Sequence, residues 1–351
     1  MRVLLFGTYE RDYPRNAIVR SCLRRAGIEI VERHVSVWDG RRHNWSAGAA
    51  TLARLLAAEA RLLAPSRASF DVALVGYPGH LDLPAARLAA RGKPLVFDPL
   101  VSLADTLVDD RARFRRGSLP ARALAAADRL AFRTADAVVA DTAAHAELYR
   151  SLGAKRVEVC FVGAEETVFE PGWRRPDEFV ALFVGKLIPL HGLATILGAA
   201  RIAPEVRFRI VGSGQLEREI EGAPPNVERV PWVDYERLPE ELHRCGCALG
   251  IFGTSTKARR VIPNKVFQAL ACGTPVVTAD TPGARELLHD GESALLVPPG
   301  DPAALADAVR RLANGASLAE RVAAGGAAAY RRNASVDILA ARWRDLLESA
   351  R

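Results

Sequence analysis

"KARRVIPNKVFQALACGTPVV" runs from Lys257 to Val277, and its order of residue types decides the architecture. A polar, basic loop leads to Pro263-Asn264-Lys265, an apolar helical pattern follows, and Gly273 stops it before a β-branched run. Loop, helix, glycine stop and buried strand, in that order, are the repeating unit of a parallel α/β sheet. The stretch is also compositionally odd. Of 48 basic residues only five are lysine (Lys93, Lys155, Lys186, Lys257 and Lys265), and two of the five stand here.

The same alternation extends outward to both ends of the chain. Apolar runs read as strands at 2–6, 29–35, 71–77, 94–98, 137–141 and 157–162, then at 179–184, 206–211, 227–230, 247–252, 275–279 and 293–297. Helical patterns separate them, as with Asp301-Pro302, a capping acid before an N1 proline, followed by Leu305, Val309 and Leu312. Near-continuous apolar strands joined by helices predict parallel sheets covered on both faces. Between the two sets lies "GAEETVFEPGWRRPDE", 163–178, polar and without periodicity, which reads as a linker. The expected division is a first Rossmann-like domain over 1–168, a second over 169–333, and a final helix over 334–351 packing back on the first. Two doubly wound domains facing one another place ligands at the carboxyl ends of their strands.

Composition narrows the classes. With 351 residues, 49% hydrophobic and 25% charged, the chain is long enough for two proper cores. The five cysteines (22, 160, 245, 247 and 272) show no paired CxxC spacing, so neither a zinc site nor a disulfide framework is expected. The start, "MRVLLFGTYE", reads as a strand and not as a signal core. The alanine-rich run 47–65 is interrupted by Arg54, Glu59 and Arg61, as in a helix exposed to water, and a cytoplasmic location is expected. A formal charge of +7 favours anionic partners. Residues 111–133 carry seven arginines against the single acid Asp128, which suits a solvated helix face or contact with anionic lipid at a membrane surface. Nucleic acid is not expected, because aromatic stacking platforms are missing from that stretch.

Three stretches carry chemistry. In "FVGKLIPLHG", 183–192, Lys186 follows a strand end and His191-Gly192 opens a helix, a pair of potential cations flanking a helix amino terminus. In "RIVGSGQLE", Gly212 and Gly214 form half of a dinucleotide fingerprint, with Glu217 where its third glycine belongs, so they serve a ligand's close approach or a tight turn. Pro263, Asn264 and Lys265 begin a helix with its first amides free, Asn264 reading as a cap and Lys265 as a compact charge suited to a phosphate.

Taken in order, VGK…HG, VGSG, PNKVFQALACGTPVVTADTPGARELL and GESALLVPPGDPAALADAV resemble the nucleotide-sugar domain of the family-4 glycosyltransferases, of GT-B fold. The amino half is similar more loosely, through "FGTYERDYPRN", "RTADAVVADTAAHAELYRSLGA" and "FVGAEETVFEP". The resemblance implies retaining transfer of a sugar from a nucleoside diphosphate sugar to a saccharide, lipid-linked or small-molecule acceptor, without a metal or other cofactor. It implies donor contacts at Gly7, Lys186, His191, Gly212, Arg260, Pro263, Asn264, Lys265 and Gln268. His191 stands where the family commonly has a lysine, so its charge is expected to be partial. Gln268 and Arg260 stand where the family has two glutamates, one holding ribose and one facing the sugar. Either the sugar is held differently, or it is itself acidic, or the loop register is shifted. Leu100 replaces a family histidine, leaving Asp98 and His80 as candidate catalytic groups, each with a plain alternative as a buried cap or a loop residue. A degenerate GT-B protein that binds nucleotide or glycan without turnover is the second reading, and a nicotinamide oxidoreductase a distant third.

Overall fold

The computed structural model describes residues 1–38, 49–64 and 69–351. The ends of the alanine-rich run, 47–48 and 65, lie outside the described residues. Among the described residues are two six-stranded sheets, parallel at every pairing. The first contains β1 (Arg2–Gly7), β2 (Glu29–His34), β3 (Val72–Val75), β4 (Leu95–Phe97), β5 (Ala137–Ala140) and β6 (Val157–Val159). The second contains β7 (Val180–Val184), β8 (Arg207–Val211), β9 (Val227–Val230), β10 (Cys247–Leu249), β11 (Val276–Ala279) and β12 (Leu295–Val297). Each apolar run read as a strand contains one of these, except that β1 runs one residue past the run 2–6. The observed strands are shorter at β3, β6 and β10 because the chain leaves the ladder and turns into loops at their carboxyl ends.

The chain forms two compact units, one of Met1–Val108, Arg113–Phe161 and Val336–Arg351, the other of Asp109–Ala112 and Val162–Ser335. In the first, α1 (Pro14–Arg25), α2 (Ala49–Leu62), α3 (Leu83–Ala90), α4 (Leu119–Thr134) and α5 (Ala143–Ser151) accompany the sheet, whose strand order is β2-β1-β3-β4-β5-β6. In the second, α6 (Leu193–Ile202), α7 (Leu238–Arg244), α8 (Asn264–Cys272), α9 (Pro282–Arg285), α10 (Pro302–Asn314) and α11 (Ala316–Asn333) accompany the order β12-β11-β10-β7-β8-β9. The last helix, α12 (Val336–Ser349), belongs to the first unit, where it buries Trp343 completely and pairs Asp337 with Arg25 of α1.

Each core follows from the sequence pattern. Leu4, Phe6, Val75 and Phe97 meet Ala86, Phe132 and Tyr149 in one, and Phe183, Ile210 and Val277 meet Ile196, Leu305 and Val309 in the other. Asp301 caps α10, accepting from the amides of Ala303 at 2.9 Å and Ala304 at 3.0 Å. The stretch 163–178 is not a free tether, since Trp173 Nε1 donates to the Cys245 carbonyl at 2.8 Å inside the second unit. In the second sheet, β8 and β9 are added on one side of β7 and β10 to β12 on the other. That reversal leaves a crevice at the carboxyl ends of β7 and β10.

Candidate functional site

The crevice of the second unit is built from loops that need glycine. Gly185, Gly212 and Gly214 have φ of 148°, 140° and 157°, outside the range side chains accept. A Cβ on Gly212 would lie 2.0 Å from the Gly185 carbonyl oxygen, and one on Gly214 would lie 2.7 Å from that of Leu187. The GxG of this loop therefore seats one loop backbone on another. The missing side chain of Gly212 makes room for the Gly185 backbone.

Lys265 comes from the first turn of α8. Its ammonium is buried, lies 3.8 Å from the centroid of the Phe183 ring, and has no hydrogen-bond partner among the described residues. A Cβ on Gly185 would stand 2.8 Å from this Nζ, so the ammonium lies close against the Gly185 backbone. Burial pushes its pKa well below the ordinary lysine value. The aromatic face offsets part of that penalty but supplies no acceptor. A desolvated amine without an acceptor costs several kcal/mol to keep as a cation, and an anion placed beside it removes that cost. The ammonium is thus desolvated although the lysine as a whole is half-buried.

His191 meets the same side of Gly185, its Cε1 3.4 Å from where a Cβ would be, with its ring 5.4 Å from that of Phe183. Its Nδ1 bonds the Lys186 carbonyl, which can only accept, so Nδ1 carries the proton. Burial, reinforced by the charges of Lys265 and Lys257, drives its pKa well below the ordinary range. His191 is therefore neutral, and the expectation of a partial cation is corrected: it is a fixed imidazole that orders the loop. Lys186 itself is exposed. Lys257, not among the donor contacts expected from the sequence, is buried and close enough to act on His191. Its rarity in an arginine-rich chain was the available signal.

The start of α8 also differs in detail. Pro263 is the N-cap, with φ −73° and ψ 151°, and Asn264 is the first helical residue, so the asparagine does not cap. No side chain caps this helix. Arg260 is half-buried, on the loop before α8, and Gly283 approaches it so closely that a Cβ there would lie 2.6 Å from the Arg260 carbonyl oxygen. One turn after Lys265, Gln268 is buried and its Nε2 lies 3.4 Å from the Tyr235 hydroxyl, which in turn meets Glu165 Oε1 at 3.1 Å.

The candidates of the first unit, Gly7, His80 and Asp98, are buried. Gly7, with φ 124°, makes room for a buried carboxylate: a Cβ there would lie 2.0 Å from Asp82 Oδ2. Asp82 accepts from the Thr8 amide at 2.7 Å and its hydroxyl at 3.0 Å. Asp98 is gripped by Arg15, whose Nε and Nη2 donate to its two oxygens at 2.8 and 3.0 Å while Nη1 donates to the Phe161 carbonyl at 2.8 Å. Burial alone would weaken the Arg15 charge, but the Asp98 carboxylate outweighs it and holds the guanidinium protonated. Burial raises the Asp98 pKa against the pull of Arg15, and with both oxygens bonded to the guanidinium the carboxyl has a structural role. His80 is buried, edge-on to Phe97 at 5.0 Å and 3.5 Å from Asp128 Oδ1. Burial lowers its pKa against the pull of Asp128. Asp128 in turn accepts from Ser102 Oγ at 2.7 Å and from the amides of Leu103 and Ala104, both at 2.9 Å. Neither catalytic expectation, Asp98 or His80, is met by a group open to substrate within this unit.

Comparison with known proteins defines the class. A family model described as glycosyl transferases group 1 matches residues 178–315, and one described as a glycosyl transferase 4-like domain matches 1–164. The fold is similar to that of sucrose-phosphate synthase from Thermosynechococcus elongatus, at 17% identity and a TM-score of 0.76, covering 99% of this chain and 98% of that one. It is also similar to HepE of Anabaena, solved in complex with UDP-glucose, at 16% identity and a TM-score of 0.70, covering 99% of each chain. These are GT-B structures, and the two sheets described above are the two halves of that fold. The chain belongs to the group 1 glycosyltransferases. Among sequence relatives, the phosphatidyl-myo-inositol mannosyltransferase of Mycobacterium leprae is 35% identical over 161 residues, 43% of this chain and 41% of that protein. The chain spans about half the length of the curated relatives it matches. No helix among the described residues is long and apolar enough to cross a membrane.

Proposed function

We propose that this chain transfers a sugar from a nucleoside diphosphate sugar to a hydroxyl-bearing acceptor, with retention of anomeric configuration. The buried, unpartnered ammonium of Lys265 at the β7/β10 crevice supports this most directly. Diphosphate leaves readily once its charge is neutralised, and Lys265, the exposed Lys186 and the uncapped start of α8 are the groups to do it. No metal or cofactor is assigned to the step. With Asp98 and His80 both buried, the leaving phosphate itself serves as the base: C1–O(phosphate) breaks, C1–O(acceptor) forms on the same face, and the acceptor's proton passes to a phosphate oxygen. Same-face attack preserves the configuration.

UDP-glucose, UDP-glucuronic acid and GDP-mannose, titrated calorimetrically and then incubated with and without saccharide acceptors, test the reading. Release of nucleoside diphosphate supports it, and an α-linked product from an α-linked donor supports retention. Binding without release under any acceptor makes the protein a non-catalytic nucleotide binder. Tighter binding of the uronic donor assigns Arg260 to an acidic sugar, and equal binding removes that role.

A lipid-linked acceptor is favoured by one surface. Arg113, Arg115, Arg116, Arg122, Arg129 and Arg133 are exposed on and before α4, where Leu119 and Leu130 are 79% and 58% exposed. Cations interleaved with exposed leucines suit an anionic bilayer surface. Flotation with anionic vesicles, lost in high salt and weakened by Arg115→Glu with Arg116→Glu, is expected. Flotation independent of lipid charge rules the surface out.

A further inference from the structure

The loop that leaves β9, the outer strand of the second sheet, sends its side chains to two sides. Tyr235 turns inward to Gln268 on α8, while Trp232 and Asp234 stand exposed. Trp232 is 54% exposed, where Trp38 and Trp343 are buried. Its Nε1 donates to Asp234 Oδ1 at 3.2 Å, which holds the indole in one orientation. Beside the ring opens a cleft of about 250 Å³, lined by Arg209 of β8, Trp232, Val233, Asp234, Arg237 and Glu241 of α7. At about 30 Å³ for each water it holds roughly eight waters, the space of one sugar ring. With β9 two strands away from β7, about 10 Å at the usual spacing, this cleft is distinct from the β7/β10 crevice.

The charges in the lining are already paired. Arg209 gives Nε and Nη2 to the two oxygens of Glu241, at 2.8 and 3.0 Å, and also pairs with Glu228. Arg237 lies 3.6 Å from Glu240, and Asp234 takes the indole proton. An ion of either sign would have to displace one of these partners. A neutral ligand would not, because each carboxylate oxygen keeps a second lone pair and each guanidinium keeps N–H groups that the pairs do not use. Such a ligand must bring hydroxyls for the charged rim and an apolar face for the indole. A pyranose has both: C–H groups cover its face, and hydroxyls surround it.

We propose that the Trp232 cleft is a saccharide-docking site outside the reaction centre, where one sugar ring stacks on the indole and its hydroxyls bond Asp234, Arg237 and the Arg209–Glu241 pair. None of these groups belongs to the Lys265 crevice, so the assignment stands apart from the donor reading. In a sugar transferase such a site holds an oligosaccharide by a ring other than the one being extended, and keeps it on the protein between turnovers.

Calorimetric titration of the full chain with maltotriose, mannotriose and chitotriose, alone and again with UDP present, tests it. At least one trisaccharide is expected to bind with a Kd on the order of 1 mM, the same with and without UDP. Trp232→Ala is expected to weaken that binding about tenfold, and Trp232→Tyr, which keeps an aromatic face, to restore most of it. The melting temperature should hardly change in either variant, because the side chain is exposed. Binding that Trp232→Ala leaves unchanged, or that UDP displaces, places the saccharide elsewhere and overturns the assignment. Failure of all three trisaccharides to bind at concentrations about tenfold above that Kd overturns it as well. So does binding of uridine or guanosine in their place, weakened by Trp232→Ala, which would make the cleft a nucleobase platform.

Discussion

Arg15 and Lys265 are both cations buried at sheet edges, one in each unit, and their surroundings are opposite. Arg15 spends its donors on Asp98 and on the carbonyls of Cys160 and Phe161, beneath the indole of Trp343 at 5.6 Å. Lys265 has an aromatic face, a glycine and a neutral imidazole around it, and no acceptor among the described residues. A satisfied charge is part of the scaffold, and an unsatisfied one is held ready for something the protein does not contain.

Removing the satisfied charge is expected to have the largest effect. Arg15→Met leaves Asp98 buried and uncompensated, and should lower stability by about 3–5 kcal/mol in denaturant titration. Loss below about 1 kcal/mol would erase the contrast between the two cations. Lys265→Met is expected to do the reverse in the apo protein, raising stability by about 1–3 kcal/mol by removing an unsatisfied buried donor. The same variant should bind nucleoside diphosphate roughly 10- to 150-fold more weakly, through loss of a charge-assisted bond. A melting curve and a titration on one sample check both, and destabilisation together with unchanged affinity would make Lys265 structural.

The pH dependence sharpens the comparison further. The folded-state pKa of Lys265 is depressed, so between that value and the unfolded value of about 10.4 the unfolded chain binds more protons. Apo stability should therefore rise with pH through that window, and Lys265→Met should flatten the rise. An anionic ligand restores the ammonium, so nucleotide binding in the window should take up a proton, seen as a dependence of binding heat on buffer ionisation enthalpy. A smaller effect of the same sign comes from His191 and His80, both depressed by burial. Stability should fall as pH drops below about 6.5, where unfolded imidazoles gain protons that the folded ones refuse. Affinity for a nucleotide sugar, whose esterified diphosphate does not titrate in this range, should by contrast show no break between pH 6 and 7, because burial keeps His191 neutral. A break there would mean that His191 works as a cation after all.

Strands, helices and their alternation were legible in the sequence because they rest on local causes: side-chain periodicity, a capping Asp301 before Pro302, a Gly273 that ends α8 with φ 76°. The parallel α/β class followed from the same local reading. What the sequence left open concerns pairs of groups that are distant along the chain. Asp98 reads as a catalytic candidate until Arg15, 83 positions away, is seen to occupy both its oxygens. His191 reads as a cation until burial beside Lys265 makes it neutral. Gln268 reads as a weakened glutamate until Tyr235 and Glu165 are found holding one end of its amide. Periodicity determines which elements form, since each residue's neighbours along the chain set it. Whether a polar side chain is satisfied, charged or left open depends on desolvation and on partners that only the packing of separate elements brings within 3 to 4 Å, and that was decided by the tertiary structure alone.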